Sequence, residues 1–393
     1  MLHNTFCRRL AALVLTLAVA VSAVLPVFAV YPMPVQTATE TEAVYLFNAD
    51  TGKTILSQNA DQQKYVASLT KLMTALLLVE SGKDLNGEVT VPTDLTQEFK
   101  DIQNANGTTI GLRIGETVRR IDLLNAMLIV SANDAASVIA WDVGGSVVGF
   151  VQQMNARAAE LGMTNTTFRN ACGLDTEGHL STARDVAVLS RYLLNTCPEL
   201  LHYTGIWTDS LRNGQTQLVN TNKLLRRYSG ITGLKTGTTS GAGVCISASA
   251  TRDGLTLIAV VLGSPSSADR FHSATTLLDY GFANYAAAPL PTLPERPLAL
   301  AVKGSAEDSV PLDYAALPET ILIEKGTASA LRAELTLPEA LEAPVEKGRT
   351  VGKVSIFQDD TLLNEYEVKA AADAPLLTFG GALELLWQCL LGA

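Results

Sequence analysis

Histidine is scarce in this chain: His3, His179, His202 and His272 are the whole complement in 393 residues. His179, in Asp175-Thr176-Glu177-Gly178-His179, has no partner at a ligand spacing, so neither a histidine-built metal site nor a Ser-His-Asp triad has much to draw on. No G-x-S-x-G elbow, phosphate loop or dinucleotide fingerprint occurs, which removes the usual hydrolase and nucleotide-binding schemes. Of five cysteines, Cys7 lies in the first 29 residues. Cys172, Cys197, Cys245 and Cys389 contain no C-x-x-C pair, so they read as small buried residues, with a Cys172–Cys197 bridge left open. Charged residues make up only 17% of the chain, and the net charge is −10. Residues 1–29 carry Arg8 and Arg9 and no acid, so without them the charge is −10 − 2 = −12. An acidic protein of this kind is not a nucleic acid binder.

Apolar residues, at 47%, are plentiful, and the length suits two domains. Residues 1–29 read as a secretory signal: Arg8 and Arg9, an apolar run from Leu10 to Val24, and Val27-Phe28-Ala29 at a cleavage position. A flexible leader follows over residues 30–40. At the other end, residues 375–393 hold Glu384 as their only charged residue, with Phe379, Leu383, Leu386 and Leu390 at helical spacing. The stretch is marginal for a membrane span and suits an amphipathic helix lying in a membrane surface.

Between these ends the pattern suggests an α+β domain over 40–287. A hairpin is expected from Ala43-Val44-Tyr45-Leu46-Phe47 and Thr54-Ile55-Leu56, joining late strands at Val244–Thr251 and Leu255–Leu262 in one antiparallel sheet. Helices are expected near Ser68, over Arg120–Leu128, Asp134–Asp142, Val147–Leu161, Ala183–Leu194 and Phe271–Tyr285, with 92–118 rich in loop. Pro289, Pro291, Pro294 and Pro297 mark a linker to a small all-β domain over 295–372, which has no titratable cluster.

Three short motifs carry the chemistry. Ser68 and Lys71 stand one helical turn apart, so the lysine amine reaches the serine hydroxyl. A lysine can be the base for a serine nucleophile only if its pKa is lowered by burial or a second cation. Ser131-Ala132-Asn133 follows an apolar run, and Lys235-Thr236-Gly237 lies in a glycine-rich, β-like stretch. Each motif alone is compatible with a helix cap or a plain turn. All three in this order form the signature of the penicillin-recognising serine enzymes. In that scheme Ser68 is the nucleophile and Lys71 the base. Ser131 relays a proton to the leaving amine, and Asn133 bonds the substrate backbone or Lys71. Lys235 and Thr236 take a substrate carboxylate, with Lys235 also the second cation beside Lys71. Gly237 permits a close backbone approach.

The chain resembles the serine-type D-Ala-D-Ala carboxypeptidases, the low-molecular-mass penicillin-binding proteins. Beyond the three motifs, Leu161-Gly162-Met163-Thr164-Asn165-Thr166-Thr167-Phe168 and Gly178-His179-Leu180-Ser181-Thr182-Ala183 resemble that family's blocks; Ala132 stands where glycine is common. The resemblance covers about 40–370. It implies a β-lactamase/transpeptidase-like fold and an oxyanion hole from the backbone N–H groups of Ser68 and Thr238. It also implies removal of the terminal D-alanine from peptidoglycan stem pentapeptides outside the cytoplasmic membrane, and β-lactam antibiotics as covalent inhibitors. No metal or organic cofactor is implied. A β-lactamase on this scaffold would commonly carry Glu-x-x-Leu-Asn; Arg191-Tyr192-Leu193-Leu194-Asn195 has arginine in place of the glutamate. A transpeptidase or an inactive peptidoglycan-binding protein remain as alternatives.

Overall fold

The computed structural model describes residues 42–293, 295–325 and 331–391. The expected signal over 1–29 and the leader over 30–40 lie outside the described residues.

Strands β1 (Ala43–Asn48), β2 (Thr54–Gln58), β3 (Ile231–Thr239), β4 (Gly243–Arg252) and β5 (Leu255–Ser264) form one antiparallel sheet in the order β2-β1-β5-β4-β3. The first hairpin therefore closes on strands some 200 residues later, with Tyr45 opposite Val260. Side chains alternate across a strand. Tyr45 and Phe47 join Ile258, Val260 and Leu262 under one face, while Val44 and Leu46 join Leu257, Ala259 and Val261 under the other. Both faces are buried, which is why these strands read as near-continuous apolar runs.

The helices are α1 (Lys71–Glu80), α2 (Thr96–Asn104), α3 (Arg120–Ile129), α4 (Asn133–Gly144), α5 (Val147–Glu160), α6 (Ala183–Thr196), α7 (Glu199–Thr204), α8 (Ser267–Asn284) and α9 (Phe379–Leu391). Helix α1 is built from Leu, Met, Ala and Lys with no Gly or Pro, and ends at Gly82 with φ +68°. All its residues from Lys71 to Leu78 are buried, so it is the central post of a helical layer closed by Phe150, Met154 and Phe168. Helix α6 covers one face of the sheet and α8 the other.

Two elements differ from the sequence reading. Helix α2 occupies part of the stretch expected to be loop. It is mostly polar, and its apolar side is the narrow stripe of Phe99 and Ile102 that continues from Leu95. Pro289 does not open a linker: it ends the strand Tyr285–Pro289, which pairs with Thr320–Glu324. Beyond it a six-stranded sheet has its own core of Val310, Val354, Ile356 and Val368. The hairpin Thr350–Gln358 with Thr361–Ala370 forms its middle, and the latter strand had no separate signal in the sequence. Helix α9 exposes its apolar side chains: Phe379 is 87% exposed and Leu390 71%. Among the described residues no single helix is long and apolar enough to cross a membrane.

Candidate active site

The chain enters α1 through a 3-10 turn, Ala67–Thr70. Ser68 lies inside that turn and caps nothing; it is half-exposed between buried Ala67 and Leu69. Ala67 has φ +48°, a left-handed conformation that costs about 1–3 kcal/mol for a residue with a side chain. The surroundings enforce it. A Cβ on Gly173 would stand 1.8 Å from Ala67 O, and one on Gly237 would stand 2.8 Å from Ser68 N. Both glycines are therefore required for two backbones to press on the turn that carries Ser68. For Gly237, the space a side chain would need is taken by this turn.

Lys71 is fully buried. Its Nζ lies 2.9 Å from Ser68 Oγ, 2.6 Å from Asn133 Oδ1 and 2.6 Å from Cys172 O. A neutral amine has two N–H donors and one lone pair. Two of the neighbours are carbonyl oxygens that only accept, so the lone pair is left for the Ser68 hydroxyl proton. Burial lowers the Lys71 pKa to about 8, against the opposing pull of Asp134. Lys235, equally buried, is pushed well below its ordinary value, first by burial and then by Lys71 and Arg270. Burial is thus the main cause for both amines.

Ser131 and Asn133 do not cap α4; Ala132 precedes the helix and no side chain caps it. Asn133 Oδ1 is committed to Lys71, and its N–H donates to Thr108 O. Ser131 has φ +68°, and its buried Oγ has no partner among the described residues. An unmatched buried hydroxyl is costly, which marks it as a group that a bound molecule would satisfy. On the opposite wall, β3 is the sheet's edge strand and carries Lys235, Thr236, Gly237 and Thr238. Lys235 Nζ donates to Thr236 O, and the Thr236 hydroxyl lies 2.6 Å from that of Thr221.

Several contributors lie outside the three short motifs. Cys172 acts through its backbone carbonyl; its thiol, like those of Cys197 and Cys245, is free. Arg270, on α8, is buried and donates to Gly237 O and Cys245 O, binding β3 to β4. His179 is buried, with a pKa lowered to about 4, so it is neutral. Its Nδ1 accepts from Arg169 N–H, so Nε2 carries the proton and donates to Thr70 Oγ1 at 2.9 Å. It braces the turn that carries Ser68. Arg191, which precedes the Leu194-Asn195 pair, donates to Ala49 O and Asp50 O at the β1–β2 turn.

Residues 32–266 match the family model described as D-alanyl-D-alanine carboxypeptidase, and residues 298–375 match the penicillin-binding protein 5 C-terminal domain. The chain is 33% identical over 347 residues to D-alanyl-D-alanine carboxypeptidase DacF of Bacillus subtilis, covering 86% of this chain and 88% of that one. It is 33% identical over 323 residues to DacC of Escherichia coli, covering 80% and 79%. Penicillin binding protein 5 of Haemophilus influenzae superposes with a TM-score of 0.75 at 28% identity, over 88% of this chain and 100% of that one.

Proposed function

The chain belongs to the D-alanyl-D-alanine carboxypeptidase family, and from that premise we propose that peptides ending in D-Ala-D-Ala acylate Ser68, with Lys71 as the base. The protein is a penicillin-binding hydrolase of the cell wall. The observation that carries the catalytic reading is the buried Lys71 amine held at once by Ser68, Asn133 and the Cys172 carbonyl.

Ser68 Oγ attacks the carbonyl of the D-Ala-D-Ala bond while its proton passes to Lys71. The oxyanion is held by the N–H groups of Ser68 and Thr238. The terminal carboxylate lies between Lys235 and Thr236, and its negative charge draws Lys235 back to the ammonium form. Asn133 aligns the peptide, and Ser131 passes a proton to the departing amine. The C–N bond breaks and D-alanine leaves. Water then attacks the ester and restores Ser68. The test is release of D-alanine from a D-Ala-D-Ala peptide, compared with Ser68→Ala.

The site of action is the cell-wall space, reached by export through residues 1–29. The exposed apolar row of α9 then rests in the outer face of the cytoplasmic membrane. Each Leu or Phe fully buried there contributes about 1.5–3 kcal/mol as an upper figure. Expressed with its own N-terminus, the mature protein is expected to begin at Val30 and to sediment with membranes. Deleting residues 375–393 is expected to move it to the soluble fraction with its activity intact. N-terminal sequencing and fractionation check both; a start at Met1 defeats the export reading, and full-length mature protein wholly in the supernatant defeats the anchor.

A further inference from the structure

Thr221 links the two walls of the site. Its N–H donates to Ile129 O, two residues before Ser131, and its hydroxyl meets that of Thr236 on β3 at 2.6 Å. The asparagines on either side hold it rigidly. Asn220, buried, donates from Nδ2 to Thr204 O and Ile206 O, and its Oδ1 accepts from Asn222 N–H. Asn222, also buried, donates to Gly233 O and accepts from Leu224 N–H. Both asparagine side chains are thus engaged with the backbone around them, and half-buried Thr221 meets Thr236 through its hydroxyl.

Two hydroxyls in contact share one proton and leave the other free. If Thr236 donates to Thr221, lone pairs of Thr236 face the groove and repel a carboxylate. If Thr221 donates, the Thr236 O–H is free to donate into the groove, and accepting a bond strengthens it as a donor.

We propose that Thr221 is a positioning residue for the leaving group: it donates to Thr236 Oγ1 and so aims the Thr236 proton at a substrate carboxylate. The inference rests on the assignment of Lys235 and Thr236 to the carboxylate made above. Its consequence is selectivity, since Thr221 assists only leaving groups with a free carboxylate.

The test uses two thioesters with the same acyl-D-alanyl part. One releases thioglycolate, which carries a carboxylate, and the other releases its methyl ester, which does not. For Thr221→Val, kcat/KM on the first is expected to fall about tenfold, mainly through KM, because the lost bond serves ground and transition states alike. On the second it is expected to stay within about twofold of wild type, which also reports an intact site. Thr221→Ser, which keeps the hydroxyl, is expected to restore the preference. An equal loss on both thioesters, or no loss on the first, overturns the proposal. A wild-type enzyme that hydrolyses both equally overturns the carboxylate assignment, and this inference with it.

Discussion

Lys71→Arg is expected to stop acylation of Ser68. Arginine keeps the positive charge and much of the bulk but cannot release its proton at any working pH. A positioned general base contributes roughly 10²–10⁴ in rate, so a loss of that size is expected in the second-order rate of penicillin acylation. Simple attraction by a cation would survive the change; proton transfer would not. The wild-type rate should carry its own signature. Burial holds the Lys71 pKa at about 8, and only the neutral amine has a lone pair for Ser68. Below that value the neutral fraction falls about tenfold per pH unit, so acylation should climb with pH and level off above about 8. Near-normal acylation by Lys71→Arg would sink the base assignment, as would a wild-type rate that is flat from pH 6 to 9.

Penicillin is expected to leave a long-lived covalent mass increase on the peptide containing Ser68, absent in Ser68→Ala. The same wild-type preparation should release D-alanine until penicillin blocks it, and Ser68→Ala should release none above background. On the proposed mechanism both reactions share the first step, with an oxyanion held by fixed backbone donors whose loss typically costs ~10²–10³ in rate. They part at the second step. The penicillin ring remnant stays attached and obstructs water, whereas departing D-alanine clears the site. A dedicated carboxylate could overcome that obstruction. The partners of Lys71 are Ser68, Asn133 and a backbone carbonyl, and Arg191 is spent on the β1–β2 turn. Rapid multiple-turnover penicillin hydrolysis without D-alanine release would make this a β-lactamase.

The division between what could be read from the chain and what could not is sharp at the site itself. Ser68 and Lys71 are three residues apart, so a helical turn sets them side by side, and their 2.9 Å contact was anticipated from spacing alone. The sheet was similarly accessible, because strands buried on both faces leave apolar runs of the right length bounded by turns. Helix α2 was less accessible, since its apolar face is a narrow stripe, Phe99 and Ile102 continuing from Leu95, among polar residues.

The sequence by itself therefore determined the chemistry on offer: a serine, two lysines and a hydroxyl-bearing strand edge, in the order of one enzyme family. The tertiary structure decided whether that chemistry is usable. The pKa of Lys71, the proposed base, is lowered because the amine is desolvated, and desolvation comes from residues that pack over it from elsewhere. The Cys172 carbonyl that takes one of its N–H groups lies 101 residues along the chain, and Asn133, which takes the other, lies 62 away. A backbone carbonyl has no side-chain identity to read, Arg270 and Thr221 stand outside every local motif, and His179, though inside a recognisable block, has its packing role set only by the fold. Side-chain type and short spacing are written in windows of a few residues. Burial, and the direction in which a buried proton points, are properties of the packed whole.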